Sequence, residues 1–186
     1  MSDPSATIFG LPIRLPRRLA HPPLWRDESG GAAVDFALIA APFVAVLMAI
    51  IESAIVLLSG QVLQTATTNA ARQIMTGQAQ NAAWSATDFK TYVCNGLTVM
   101  FDCGKLNIDV RSFSSFTAVS LPAVTNPDGT LTNSYLYQPG NPGDVVVVRL
   151  IYQWPIIAYG LGIGLVNSAN HTNTLIASAA FRNEPY

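Results

Sequence analysis

The sequence predicts an α+β chain: one long N-terminal helix, transmembrane in its first half, runs on into a small domain with a second helix and a mostly antiparallel sheet. Three observations carry this prediction. Phe36 to Leu58 is apolar apart from Pro42, Glu52 and Ser53, about 23 residues where about 20 suffice to cross a bilayer as a helix. Arg14, Arg17, Arg18 and Arg26 all precede that run, and Arg72 is the first basic residue after it. Strand-like patterns then follow helical ones instead of alternating with them, which favours α+β over a parallel α/β sheet.

Residues 1–30 hold Pro4, Pro12, Pro16, Pro22 and Pro23 with no apolar periodicity, and read as a disordered leader. Residues 31–78 read as one helix of about 45 residues, roughly 70 Å long, with its membrane span at about 36–58. Beyond Leu58 its character turns one-sided. Val62, Leu63, Ala66, Ala70 and Ile74 form an apolar stripe, with Gln61, Gln64, Thr65, Asn69 and Gln73 elsewhere. No breaker appears before Gly77. Pro42 removes one helical hydrogen bond inside the span, which membrane helices tolerate.

Residues 79–186 form the α+β domain. Ser85 with Asp88 resembles a capping box, and Trp84 with Phe89 a hydrophobic staple, so a second helix starts at Ser85. Phe89, Tyr92, Val93 and Leu97 make its inner face. Lys105 to Arg111 alternates polar and apolar, which predicts a strand with one face on a core and the other in water. Residues 125–144 carry turn chemistry, Asn126-Pro127-Asp128-Gly129 and Pro139-Gly140-Asn141-Pro142-Gly143-Asp144, and are expected as an exposed loop. Val145 to Gln153 is β-branched and reads as a central strand. Arg149, Gln153, Pro155 and the following glycines argue against a second span there. Ile156 to Val166 is an apolar, glycine-rich loop or short helix, and Thr174 to Arg182 a last strand.

Half of the residues are hydrophobic and 11% are charged, against about 25% charged in soluble domains. A net charge of -1 gives nucleic acid no electrostatic footing as a partner. The basic residues before the span predict a cytoplasmic N-terminus and a C-terminal domain on the other side. Cys94 and Cys103 then lie in an oxidising compartment, where a disulfide is expected. No metal site is expected, because His21 and His171 are far apart and the cysteines lack further ligands. Cys94 has no evident base to make it a nucleophile. Phosphate loops, His-Glu-x-x-His and Gly-x-Ser-x-Gly are missing, so neither an enzyme nor a bound cofactor is predicted. Tyr135, Tyr137, Tyr152, Trp154 and Tyr159 could line a ligand groove, but sheet packing accounts for them more simply.

Asp35 is the residue that asks for a partner. A carboxylate just inside a lipid-buried stretch is costly without a counter-charge. Cutting the chain between Gly30 and Gly31 would create an amine that could supply that charge from a neighbouring copy. Asp35 lies about 6 Å along the helix from Gly31 and Glu52 about 32 Å. Glu52 therefore falls at the outer interface, either solvated there or in a subunit contact.

The run Gly30-Gly31-Ala32-Ala33-Val34-Asp35-Phe36-Ala37-Leu38, with Ala41-Pro42-Phe43, Ile50-Ile51-Glu52 and Gln61 through Arg72, resembles the N-terminal signature of TadE-like proteins. These are pilin-like components of tight-adherence (Flp) pilus systems. The similarity covers about residues 26–75, and more loosely 146–165 and Arg182-Asn183-Glu184-Pro185. The resemblance implies a minor pilin or pseudopilin of a type IVc-like pilus, cut by a prepilin peptidase after Gly30. Asp35 and Phe36 would then fill the acidic and aromatic places, with Asp where Glu is usual. It further implies assembly through Asp35, Phe36 and Glu52, with other minor pilins, the major Flp-type pilin, the peptidase, the inner-membrane assembly platform and membrane lipid as partners. The expected location is the bacterial inner membrane, single-pass with a periplasmic domain, or an extracellular pilus serving surface adhesion. Three alternatives stay open: a permanently anchored periplasmic binding domain that does not polymerise, a pseudopilin of a general secretion system, and a membrane-tethered enzyme with a site assembled by tertiary contacts.

Overall fold

The computed structural model describes residues 7–8, 11–12, 30–97, 100–162 and 164–186. Most of the expected leader, including His21, lies outside the described residues. Within it, β1 (Thr7–Ile8) pairs antiparallel with β2 (Leu11–Pro12). The chain divides into two compact units, Met1–Pro42 and Phe43–Tyr186.

Helix α1 runs Gly31–Met75 and contains Pro42 without a break. Its buried residues begin only at Glu52 and continue with Val56, Ser59, Leu63, Ala66, Thr67, Ala70, Ala71 and Ile74. Those spacings of three and four place one stripe on the core. Several members are small, and Leu63, Ala66, Ala70, Ala71 and Ile74 share one buried core with the sheet. The buried hydroxyls of Ser59 and Thr67 donate to the carbonyls of Ile55 and Leu63, both at 2.8 Å, so neither is left unpaired.

The helix stops at Thr76-Gly77. Gly77 has φ 73°, and the ring of Tyr186 lies where a Cβ would project. The Glu184 N–H donates to the Met75 carbonyl at 2.9 Å, so the C-terminal tail satisfies an end carbonyl of α1. A single turn, α2 (Gln78–Asn81), leads to α3 (Ala86–Gly96). Ser85 caps α3 in a reciprocal capping box with Asp88. The hydrogen bonds from the Ser85 hydroxyl and N–H hold the Asp88 carboxyl below its ordinary value. Phe89 and Val93 are buried, as the inner-face spacing requires.

The sheet has the order β3-β4-β5, all antiparallel, with β3 at Asn107–Phe113, β4 at Val145–Pro155 and β5 at Thr172–Arg182. One face carries Val110, Val146, Val148, Leu150, Tyr152 and Ala177 into the same core as Leu63, Ile74 and Phe89. Each fully buried aliphatic or Phe side chain there contributes about 1.5–3 kcal/mol. The alternate residues of β4, Val145, Val147 and Ile151, are also buried. Burial on both faces is why this strand reads as a continuous apolar run.

The prediction for the second face of β3 was water, and here the structure differs. Asp109 is 0% exposed. The antiparallel register sets it directly opposite Arg149. The Arg149 Nη2 lies 2.5 Å from Asp109 Oδ2, and the Arg111 Nε 3.0 Å from both carboxylate oxygens. The segment after β3 closes over this cluster. Pro122 accepts from Arg149, Ser134 accepts from Arg111, and the Leu136 N–H donates to Asp109 at 2.9 Å. Burial alone would raise the Asp109 carboxyl, but the hydrogen bonds from Arg149, Arg111 and Leu136 outweigh it and hold it below its ordinary value.

Residues 125–144 are turn-rich, but they are also tethered. Asn126 and Thr130 close the turn around Gly129, whose carbonyl accepts from the Ser168 hydroxyl. Val110 and Tyr137 form a parallel bridge on the outer edge of β3. Tyr137 packs against Phe89 with the rings tilted and 5.3 Å between centroids. Burial, with the nearby Asp88 charge, pushes its phenol up to about 12.

Candidate functional site

Gly30 sits in a tight turn immediately before the helix, and Gly31 is the first residue of α1. A Cβ on either would meet nothing within 4 Å among the described residues. Asp35 and Phe36 lie one turn further on, both exposed, with Phe36 73% accessible. None of the ion pairs among the described residues includes Asp35.

Glu52 is not solvated. It is 8% exposed, and its carboxylate accepts the N–H of Ile157 at 2.5 Å and that of Ala158 at 2.8 Å. Two successive backbone donors converging on one carboxylate form a small anion-holding nest, and hydrogen bonds to an ionised acceptor are the stronger kind. The loop after β4 is thereby fastened to α1. Beside it lies an apolar groove of about 210 Å³ lined by Met48, Ile51, Ile55, Trp154, Pro155 and Ile157. Nothing in the local sequence around Glu52 discloses this contact, because its partners lie more than a hundred residues away.

Cys94 and Cys103 are joined as a disulfide with 5.9 Å between Cα atoms. It ties the end of α3 to the turn that feeds β3. The aromatic residues pack against one another: Tyr152 and Trp154 meet Phe101 edge-on at 4.9 and 5.7 Å, and Tyr159 stacks on His171 at 4.0 Å. Among the described residues, no group of three or more His, Cys, Asp and Glu is placed to hold a metal. The buried cluster that sequence reasoning missed is Asp109 with Arg149 and Arg111. Its signal was present, since an arginine in the middle of a β-branched run needs a buried carboxylate opposite it.

The comparisons bear on the N-terminal helix. The model of the family described as TadE-like protein matches residues 30–72. Residues 30–72 are thus similar to TadE-like proteins. The match begins at Gly30 and takes in Asp35, Phe36 and Glu52. It points to pilin-like proteins associated with the tight-adherence pilus, a structural class and not one known for catalysis. No curated protein and no solved structure matches the chain. The TadE-like segment lies within a helix long and apolar enough to cross a membrane once, and none of that helix's most apolar window is buried in the chain. The core helix of a soluble protein would be covered.

Proposed function

We propose that this protein is a minor pilin or pseudopilin of a tight-adherence pilus, held in the bacterial inner membrane with its N-terminus cytoplasmic and its domain periplasmic. A prepilin peptidase cuts it after Gly30. The mature helix then packs beside those of other minor pilins and the major Flp-type pilin on the inner-membrane platform, in a filament that serves surface adhesion. The observation that carries this reading is the division of α1. Its C-terminal part is buried against the sheet, whereas from Gly31 to Ile51 it contributes no buried residue. An apolar helix left uncovered by its own chain needs lipid or other helices around it. Asp35 supplies the specific element. Its charge is costly in lipid, and the new amine of Gly31 on a neighbouring copy offsets that cost. The molecule has no catalytic role here; it is a substrate.

The test is Asp35→Ala in the native host. Membrane fractionation is expected to find the variant inserted at wild-type level, while sheared surface filaments fall in amount. Normal filaments from Asp35→Ala would overturn the pairing. A permanently anchored domain predicts that outcome.

A further inference from the structure

We infer that the loop Ile156–Val166 is a second membrane-contacting element, resting in the headgroup and upper acyl region of the outer leaflet, with Glu52 as the clasp that holds it there. The inference extends the spanning role of α1 and rests on it. Its starting point is where the loop is fastened. Glu52 lies in the outer part of the span, about 24 Å along the helix from its start at Phe36 against a core of about 30 Å. The two N–H groups it accepts, those of Ile157 and Ala158, therefore fix the loop at that same level.

The loop presents apolar surface there. Ile157 is 81% exposed, Tyr159 52% and Leu161 44%. Residues 156–166 contain no charged side chain, so nothing in this stretch opposes contact with acyl chains. The patch is continuous with the lipid-facing surface of the helix, because Met48, Ile51 and Ile55 of α1 share one groove with Trp154, Pro155 and Ile157. Trp154 and Tyr159 are the side chains that favour a membrane–water boundary. The loop's own backbone is irregular, with left-handed glycines at 162 and 164, and an irregular backbone is not tolerated deep in hydrocarbon. Its place is therefore the boundary. The carboxylate that would be costly at that depth is satisfied by backbone donors, and in return it orders the loop. The consequence is a domain seated on the bilayer surface at two points.

The experiment uses the full chain reconstituted in phosphatidylcholine vesicles, with single nitroxide labels at Ile157→Cys, Leu161→Cys, Val46→Cys and Asn133→Cys. The native cysteines are already paired. Accessibility is read with oxygen, which concentrates in lipid, and with a water-soluble nickel chelate. Oxygen is expected to dominate at 157 and 161, as at 46, with the order reversed at 133. Glu52→Ala is expected to move 157 and 161 to chelate-dominated accessibility, with the 133 lineshape unchanged as the control for folding. Glu52→Gln, which keeps one carbonyl acceptor, is expected to fall between. Chelate access at 157 and 161 with Val46 still in lipid overturns this inference alone, whereas chelate access at 46 overturns the spanning reading and this inference with it. Exclusion of both probes with spin–spin broadening that grows with the protein-to-lipid ratio assigns the patch to a second copy and overturns it. So does indifference of 157 and 161 to Glu52→Ala.

Discussion

Removing the carboxylate of Asp109 is the perturbation whose cost can be worked most fully from the structure. Its side chain is 1% exposed, that of Arg149 9% and that of Arg111 15%. Asp109→Ala leaves the guanidiniums of Arg149 and Arg111 without their counter-charge and the Leu136 N–H without its acceptor. Breaking a buried pair from one side costs about 3–5 kcal/mol. Arg149 keeps the Pro122 carbonyl and Arg111 keeps that of Ser134, so the lower end, about 3 kcal/mol, is expected. Urea unfolding of the full chain in detergent, followed by tryptophan fluorescence, should show a midpoint lower by roughly 1–2 M. Asp109→Leu combined with Arg149→Met and Arg111→Met removes all three charges of the cluster and is expected to recover most of the loss, because apolar replacement of buried ion pairs is often neutral; Asp109→Leu with Arg149→Met alone leaves Arg111 unpaired and is expected to recover only part. The double-mutant cycle then gives a coupling of about 2 kcal/mol or more. A single variant within about 0.5 kcal/mol of wild type, or an additive cycle, would refute the reasoning. The pH dependence follows from the same group. Its folded value lies below its unfolded one, so the stabilisation is fully present above the ordinary carboxylate value of about 4 and is lost as pH falls through the lowered folded value. Asp109→Asn should flatten the acid limb of the stability curve below about pH 4, and an unchanged limb would count against this assignment.

Reduction of Cys94–Cys103, or Cys94→Ser with Cys103→Ser, is expected to cost about 3 kcal/mol for so short a loop, read as a lower urea midpoint; no change would show that the cross-link does not constrain the unfolded chain. Phe89 is fully buried between the core and the Tyr137 ring. Phe89→Ala should cost about 3–5 kcal/mol, and hydrogen exchange should show Leu136 to Gln138 losing protection along with α3. Protection confined to its wild-type level along 136–138 would mean that the segment does not depend on this contact.

Local patterns carried much of the fold in the sequence. Gly77 ends α1 through its left-handed φ. Ser85 caps α3 through a four-residue pattern, and Val145 to Gln153 reads as central because it is buried on both faces. What stayed hidden were contacts made across the chain. Strict alternation in Lys105 to Arg111 predicted water at Asp109, because alternation reports side-chain direction and not what covers a face. Turn residues in 125–144 gave the chain reversals correctly and said nothing of the tether from Val110 to Tyr137. Glu52 followed the same rule: its position along the helix could be counted, but its two donors come from a loop far along the chain. The site at Gly30, Gly31, Asp35 and Phe36 is local by nature. The TadE-like match covers these residues.

The most direct measurement of the central claim is the intact mass of the protein extracted from the native membrane. A polypeptide beginning at Gly31 is the predicted result, with the peptide before α1 cut and a free amine placed one helical turn from Asp35. A mass that retains residues 1–30 would contradict it and leave a permanently tethered domain.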